Sequence, residues 1–388
     1  MVAAKDFVGV SFDNALSSVR GGHPSNLFYT GPTPAELRTV YSRGFQGITR
    51  PVPETRTLIQ DFKGSMPSLY EAFPWAKGMG KGKALAPYLS LLHFDSNWGG
   101  DEAQTRGSCT VHSNTNAAMM DYANDAFWGE TQWMGRLVKE NVYRSRGYSG
   151  DGWSCYAPAL YVGPTGKGGF LYRKSYESPS GDSVDFTEFS RATEDWAGRG
   201  RNGCPGWLEE ISRDNKAKWI IPITTLEEYR DALALGFGIS VCSGYGFSSS
   251  TDEFGLARAR GSWSHAMAHV AVNDTAWAHS KYGGMIGMIQ QSWGEWNTIN
   301  GKPEGSPKMP IGGFYVSSKN IGGMLREDDS FAVCSVYGYD RVGFEAFDTV
   351  NLLTHLRNST TQDYYKDRAD SIATMAERAL SGDEFLAI

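Results

Sequence analysis

The 388-residue sequence predicts an α+β protein on three observations. Helical and strand-like runs follow one another from Tyr88 to about Tyr339. Apolar residues make up 40% and aromatics 13% of the chain, enough to fill a sizeable core. The 46 glycines supply the loops and tight turns that such a mixture needs. The formal net charge of −6 argues against a general nucleic-acid binder, which needs a basic face, so no nucleic-acid partner is expected. No stretch approaches 18 consecutive apolar residues, which rules out a membrane-spanning helix, and no membrane partner is expected. Collagen, coiled coil and wholesale disorder are excluded by composition.

Residues 1–87 read as an N-terminal extension of mixed character. Their start, MVAAKDFVGVSFDNALSSVR, lacks the basic region and long apolar run of a secretory leader, so a cytoplasmic or virion location is expected. Thr33 is an N-cap candidate, with Pro34 at the first helical position and Glu36 completing a capping box. The Gly- and Lys-rich bend Ala72–Lys83 reads as a flexible linker ahead of a boundary after residue 87. It fails as a phosphate loop. Gly78 and Gly82 stand one residue too close, Ala84 replaces the needed hydroxyl, and no apolar strand precedes it.

Residues 88–338 form the expected main domain. Asn114–Phe127 has helical spacing, and Thr225–Leu235 is an amphipathic helix opened by Thr224 or Thr225. Ile239–Cys242, His269–Val272, Met285–Ile289 and Gly313–Val316 read as strands. The polar stretch 177–206 reads as a long surface excursion. The tail, 339–388, holds a helical run at Ala369–Leu380 and ends in the apolar Phe385–Ile388.

Cys109, Cys155, Cys204, Cys242 and Cys334 lie far apart with no CxxC pair. Their odd, sparse count fits free thiols in a reducing compartment better than a disulfide framework, with room for one disulfide. The last four read as structural. His112 three residues after Cys109, and His269 four after His265, suggest a metal cluster. Positions an even number apart share a strand face anyway, so no metal or other cofactor is expected.

Three segments carry chemistry: Gln104–Ser113 around Cys109, Trp263–Val272 around His265, and Ile289–Gly294 around Gln291. A thiol in the first turn of a helix feels the positive end of the helix dipole, which favours thiolate. A His alongside can take its proton, and an amide oxygen can fix the imidazole tautomer. Gln104 with the Cys109 amide would form an oxyanion hole. Those parts suffice for acyl transfer.

Gly107-Ser-Cys109 before a helix, Ser264-His265-Ala266 on a strand and Gln291-Ser-Trp-Gly294 resemble, in order, the three active-site blocks of papain-like cysteine peptidases. Leu226–Val241 is similar to the helix and strand before the family's His. Gly150-Asp-Gly-Trp153 with Ala159-Leu160 resembles its glycine-rich substrate loop and helix. Gly312–Val316 and Asp329–Val333 resemble its closing strands. The resemblance covers about 88–338. It implies a two-lobed fold, a helical lobe beside a β-barrel-like lobe, with extensions at both ends. It also implies a peptide or protein substrate, catalytic roles for Cys109, His265, Gln291 and Gln104, and substrate contacts at Gly152, Trp153 and Ala266. His265 follows Cys109 by 156 positions, beyond the roughly 130–150 of papain and cathepsins. Four departures accompany it: Gln291 for the family's Asn, Thr110 for Trp, Gln104 one residue closer to Cys109, and no likeness of 1–87 to the helical propeptide. The alternative expectation is a weak or inactive papain-like structural protein, docked through its termini in a large assembly such as a virus or phage particle.

Overall fold

The computed structural model describes residues 53–200, 202–294, 309–336, 366–374 and 376. The capped run at Thr33 and the apolar end Phe385–Ile388 lie outside them. Helices come mostly first along the chain and long strands after, which is α+β organisation. The helices that frame the site are α1 (Pro53–Gly64), α2 (Tyr88–Phe94), α3 (Cys109–Phe127), α4 (Tyr156–Val162), α5 (Arg191–Gly198) and α6 (Leu226–Ala234). Strands β1 (Ala84–Leu85), β4 (Ala217–Pro222), β5 (Ile239–Thr251), β6 (Ala257–Asn273), β7 (Ile286–Gln290), β8 (Gly313–Ser317) and β9 (Ser330–Val336) build one antiparallel sheet. Its order is β4-β9-β5-β6-β7-β8, with β1 paired to β6. β2 (Ser175–Glu177) and β3 (Ser183–Asp185) form a separate ribbon.

The expected strands are all present, and two are much longer than their apolar stretches. β5 and β6 run on past those stretches as a bulged hairpin, with register shifts between Ser243 and Thr251. Gly244, Gly246, Gly261 and the run Ser248–Ser250 break up the apolar alternation of that arm, which hides the strand.

Helix α3 lies against β5, β6 and β9, buried from Cys109 to Asn124. A helix enclosed on all sides needs small residues where backbones meet. A Cβ on Gly238 would fall 2.5 Å from the Ala117 Cα, so Gly238 and Ala117 together set the approach of β5's entry to α3. The buried Asn124 side chain ties α3 to its surroundings: its Nδ2 donates to the Met120, Pro87 and Gly236 carbonyls at 2.9, 3.3 and 3.3 Å. Arg368, from the helical residues 366–374 of the tail, reaches Asp125 at 2.7 Å and Asp121 at 3.4 Å.

Three expectations change. Ala72–Lys83 is not a flexible linker. Its amides are held by carboxylates: Gly78 and Gly80 donate to Asp231 at 2.7 and 3.1 Å, and Gly82 to Asp274 at 2.9 Å. Leu69 before it, Phe73 within it and Leu85 after it lie in the same core as the main domain. The stretch 177–206 is more than a surface excursion, since it contains β3 and α5 and buries Phe186, Glu194 and Ala197. Phe186 belongs to a small satellite core with Val138, Leu171, Tyr176, Cys204 and Leu208. Finally, Cys155 and Cys242 are not free thiols but form a disulfide that ties the start of α4 to β5; Cys109, Cys204 and Cys334 are free and buried.

Candidate active site

Cys109 is the first residue of α3, and the sheet brings against it the strand that bears His265. β5 and β6 pair with Cys242 opposite Ala266 and Ser243 opposite His265. That register places the Ala266 amide against the nucleophile, where it donates to the Cys109 Sγ at 3.4 Å. The strand residue after the histidine thus touches the thiol. At the end of β7, Gln290 is tied to α3 by Asn116, whose Nδ2 donates to its Oε1 at 2.7 Å. Gln291 comes next, and its Oε1 accepts the Trp293 amide at 2.9 Å. The turn so formed lays the Trp293 indole over the His265 ring, with centroids 4.2 Å apart and planes 29° from parallel. Trp263 closes the other side, 4.9 Å from Trp293.

Both central residues are 0% exposed. Burial pushes the Cys109 thiol up to about 12, against the Ala266, Thr110 and Cys109 amides, which favour thiolate. Burial, aided by His112, pushes His265 down to about 3, against a contact from Gln291 that favours the protonated ring. That contact is weak as a hydrogen bond, because neither His265 ring nitrogen has a partner of ordinary geometry among the described residues. The helix-end effect expected from the sequence is present but loses to desolvation. Thiol and imidazole are both neutral here.

The loop before Cys109 is fixed at nearly every residue. Gln104 accepts from the Ser292 hydroxyl, and its Nε2 donates to the Arg106 carbonyl at 2.8 Å. Its backbone amide donates to the Ser292 carbonyl at 2.8 Å, which joins this loop to the Gln291 turn. Arg106 reaches Asp151 at 3.1 Å and Asp195 at 2.8 Å. Gly107 donates to Asp151 at 3.0 Å, and a Cβ there would fall 2.7 Å from the Asp151 Cβ, so only glycine fits.

Among the expected substrate contacts, Ala266 touches the Cys109 thiol and Gly152 lies against the loop before it. The Gly152 amide donates to the Gly107 carbonyl at 2.9 Å, and its own carbonyl accepts from Tyr148 and Arg146 at 2.9 and 3.2 Å. Its backbone is therefore engaged within the protein. Trp153 is buried behind it.

The histidines that suggested a metal are placed otherwise. His112 Nε2 lies 3.5 Å from the Glu194 Oε1, and His269 Nδ1 lies 3.1 Å from the Tyr229 hydroxyl in the core. Among the described residues, the group with metal-ligating spacing is Cys155, Cys242 and Asp329, and its two sulfurs are bonded to each other. Glu194 is the site residue that sequence reasoning missed. Its one local signal is the Ser190–Thr193 capping box that opens α5.

Solved structures of cysteine proteases are similar to this chain at low sequence identity. No protein-family model and no curated protein matches the sequence. Similar solved structures include xylellain, a cysteine protease from Xylella fastidiosa, at 13% identity over 71% of this chain and 89% of that one, with a TM-score of 0.42. The proform of the ragweed pollen cysteine protease Amb a 11 matches at 13% identity over 79% of each chain, TM-score 0.44. A digestive procathepsin L2 proteinase from Tenebrio molitor larval midgut matches at 12% identity over 86% and 94%, TM-score 0.44.

Proposed function

We propose that this protein is a cysteine peptidase cleaving peptide bonds through Cys109, His265, Gln291 and Gln104. The observation that carries this reading is the meeting of Cys109, at the N-terminus of α3, with the β6 strand that bears His265. In the proposed reaction His265 takes the thiol proton as sulfur attacks the carbonyl, then returns it to the leaving amine. The amides at the start of α3 stabilise the oxyanion, with Gln104 beside them. Gln291 holds the turn that stacks Trp293 on the imidazole and favours its protonated form. Because the pair is neutral when buried, the proton transfer accompanies attack, or follows entry of substrate and water that lowers the desolvation cost. A peptidyl chloromethyl ketone tests this reading. It is expected to alkylate Cys109, with the rate falling sharply in His265→Ala; labelling indifferent to His265 would count against it.

Burial of both groups favours a second reading, a catalytically silent protein that keeps the fold as a structural part of a larger assembly. Particle mass in solution discriminates, since a monomer that turns over peptide sinks it.

A further inference from the structure

We infer that Glu194 is a positioning residue for the nucleophile: it holds the Ser108 hydroxyl away from the first turn of α3, leaving the amides there open to the reacting sulfur and oxygen. The inference rests on the cysteine-peptidase reading above.

A serine just before a helix ordinarily turns its hydroxyl back to accept from the amides two or three residues on. Ser108 occupies that place before α3 and makes no such bond; its backbone, at φ −102° and ψ 11°, is not the extended one of a capping serine. Its hydroxyl donates to the Glu194 Oε1 instead. The other carboxylate oxygen accepts from the Thr105 amide at 2.6 Å and from the Thr105 hydroxyl. One carboxylate, 2% exposed, therefore grips the nucleophile loop on both sides of Arg106 and Gly107. The next residue of α5, Asp195, takes Arg106. Burial alone would raise the Glu194 pKa, but His112, Ser108 and Thr105 hold it below the ordinary value, so it is a carboxylate. His112, 3.5 Å away and one turn after Cys109, faces that charge.

The first amides of a helix lack intrahelical partners, and a capping hydroxyl competes for them with any incoming anion. With Ser108 drawn off, the Cys109 and Thr110 amides face the sulfur, where both favour the thiolate. Without Glu194, the hydroxyl is free to turn back toward the Thr110 amide, one of the two that face the sulfur.

The test is a double-mutant cycle in the full chain: wild type, Ser108→Ala, Glu194→Ala and the double variant. Two readouts are taken, kcat/KM for peptide hydrolysis and the rate of Cys109 modification by methyl methanethiosulfonate. Glu194→Ala is expected to lower both about tenfold, the scale of one capping interaction, and Ser108→Ala in that background to restore most of the loss. A structural role alone gives no recovery. Losses that persist or deepen in the double variant overturn the inference, as do equal rates in all four proteins. If Glu194→Ala does not fold, Glu194→Gln repeats the cycle, since one amide oxygen cannot serve both Thr105 and Ser108; a smaller coupling of the same sign is expected, and none overturns it. Recovery in the thiol rate without any peptide cleavage overturns the peptidase reading alone. Cleavage abolished by Cys109→Ala, with no Ser108–Glu194 coupling, overturns the positioning role alone.

Discussion

Buried histidines give this protein a pH signature. His265 and His269 both fall from the ordinary 6.5 to about 3, principally through burial. Between those values the unfolded chain binds more protons than the folded one. Stability from this source is therefore complete above about pH 6.5 and lost as pH falls toward 3. Urea midpoints are expected to drop from pH 7 to pH 4, and His269→Phe to flatten the slope by up to about 1.4 kcal/mol per pH unit. A slope untouched by that substitution would contradict the assignment. Cys109, His265 and Gln291 were legible because each sits in a short block whose neighbours fix its local structure. Glu194 was not. It is one acid in a polar stretch, and its partners Thr105, Ser108 and His112 lie more than 80 positions earlier. The neutrality of the thiol was equally hidden, since helix-end placement shows in sequence and the depth of burial does not.

At the scale of elements, the Cys155–Cys242 disulfide joins the residue ahead of α4 to β5 across a separation of 87 positions. The Cys155 and Tyr156 amides beside it donate to the buried Asp329 at 2.8 and 2.9 Å. Because the crosslink restricts a long loop of the unfolded chain, Cys155→Ser is expected to cost about 2–4 kcal/mol. Guanidinium midpoints of the oxidised protein and the variant measure it; equal midpoints would show that the bridge does not form. Strand positions were readable from short β-branched runs, but the hairpin arm of β5 and β6 was not, because glycines and serines interrupt its apolar positions. The bend Ala72–Lys83 was misread for a related reason. Glycine and lysine suggest mobility, while the carboxylates that pin it, Asp231 and Asp274, are supplied about 150 to 190 positions later.

For the molecule as a whole, the ends of the main domain are not ends of the core. Leu69, Phe73 and Leu85 pack into it from before Tyr88, and β1 pairs with β6. A chain beginning at Tyr88 is therefore expected to be insoluble or molten, and one beginning at Pro53 to fold. Circular dichroism melts compare them, and a cooperative melt from the shorter chain would contradict the packing. On the other side, Arg368 is buried against Asp121 and Asp125. Arg368→Ala removes a buried partner of those carboxylates and is expected to cost about 3–5 kcal/mol in urea unfolding. Overall α+β organisation was legible because apolar periodicity changes along the chain. Docking of the flanking segments was not, since it depends on which distant surface each one covers.

In the proposed reaction Cys109 is a nucleophile activated by His265. The most direct test is cleavage of a mixed fluorogenic peptide library by the purified full chain, beside Cys109→Ala and His265→Ala. Cleavage in wild type that is lost in Cys109→Ala and reduced at least about a hundredfold in His265→Ala, the scale of general-base catalysis, is the predicted result. Cleavage that survives in Cys109→Ala, or a wild-type chain that cleaves nothing, would contradict it.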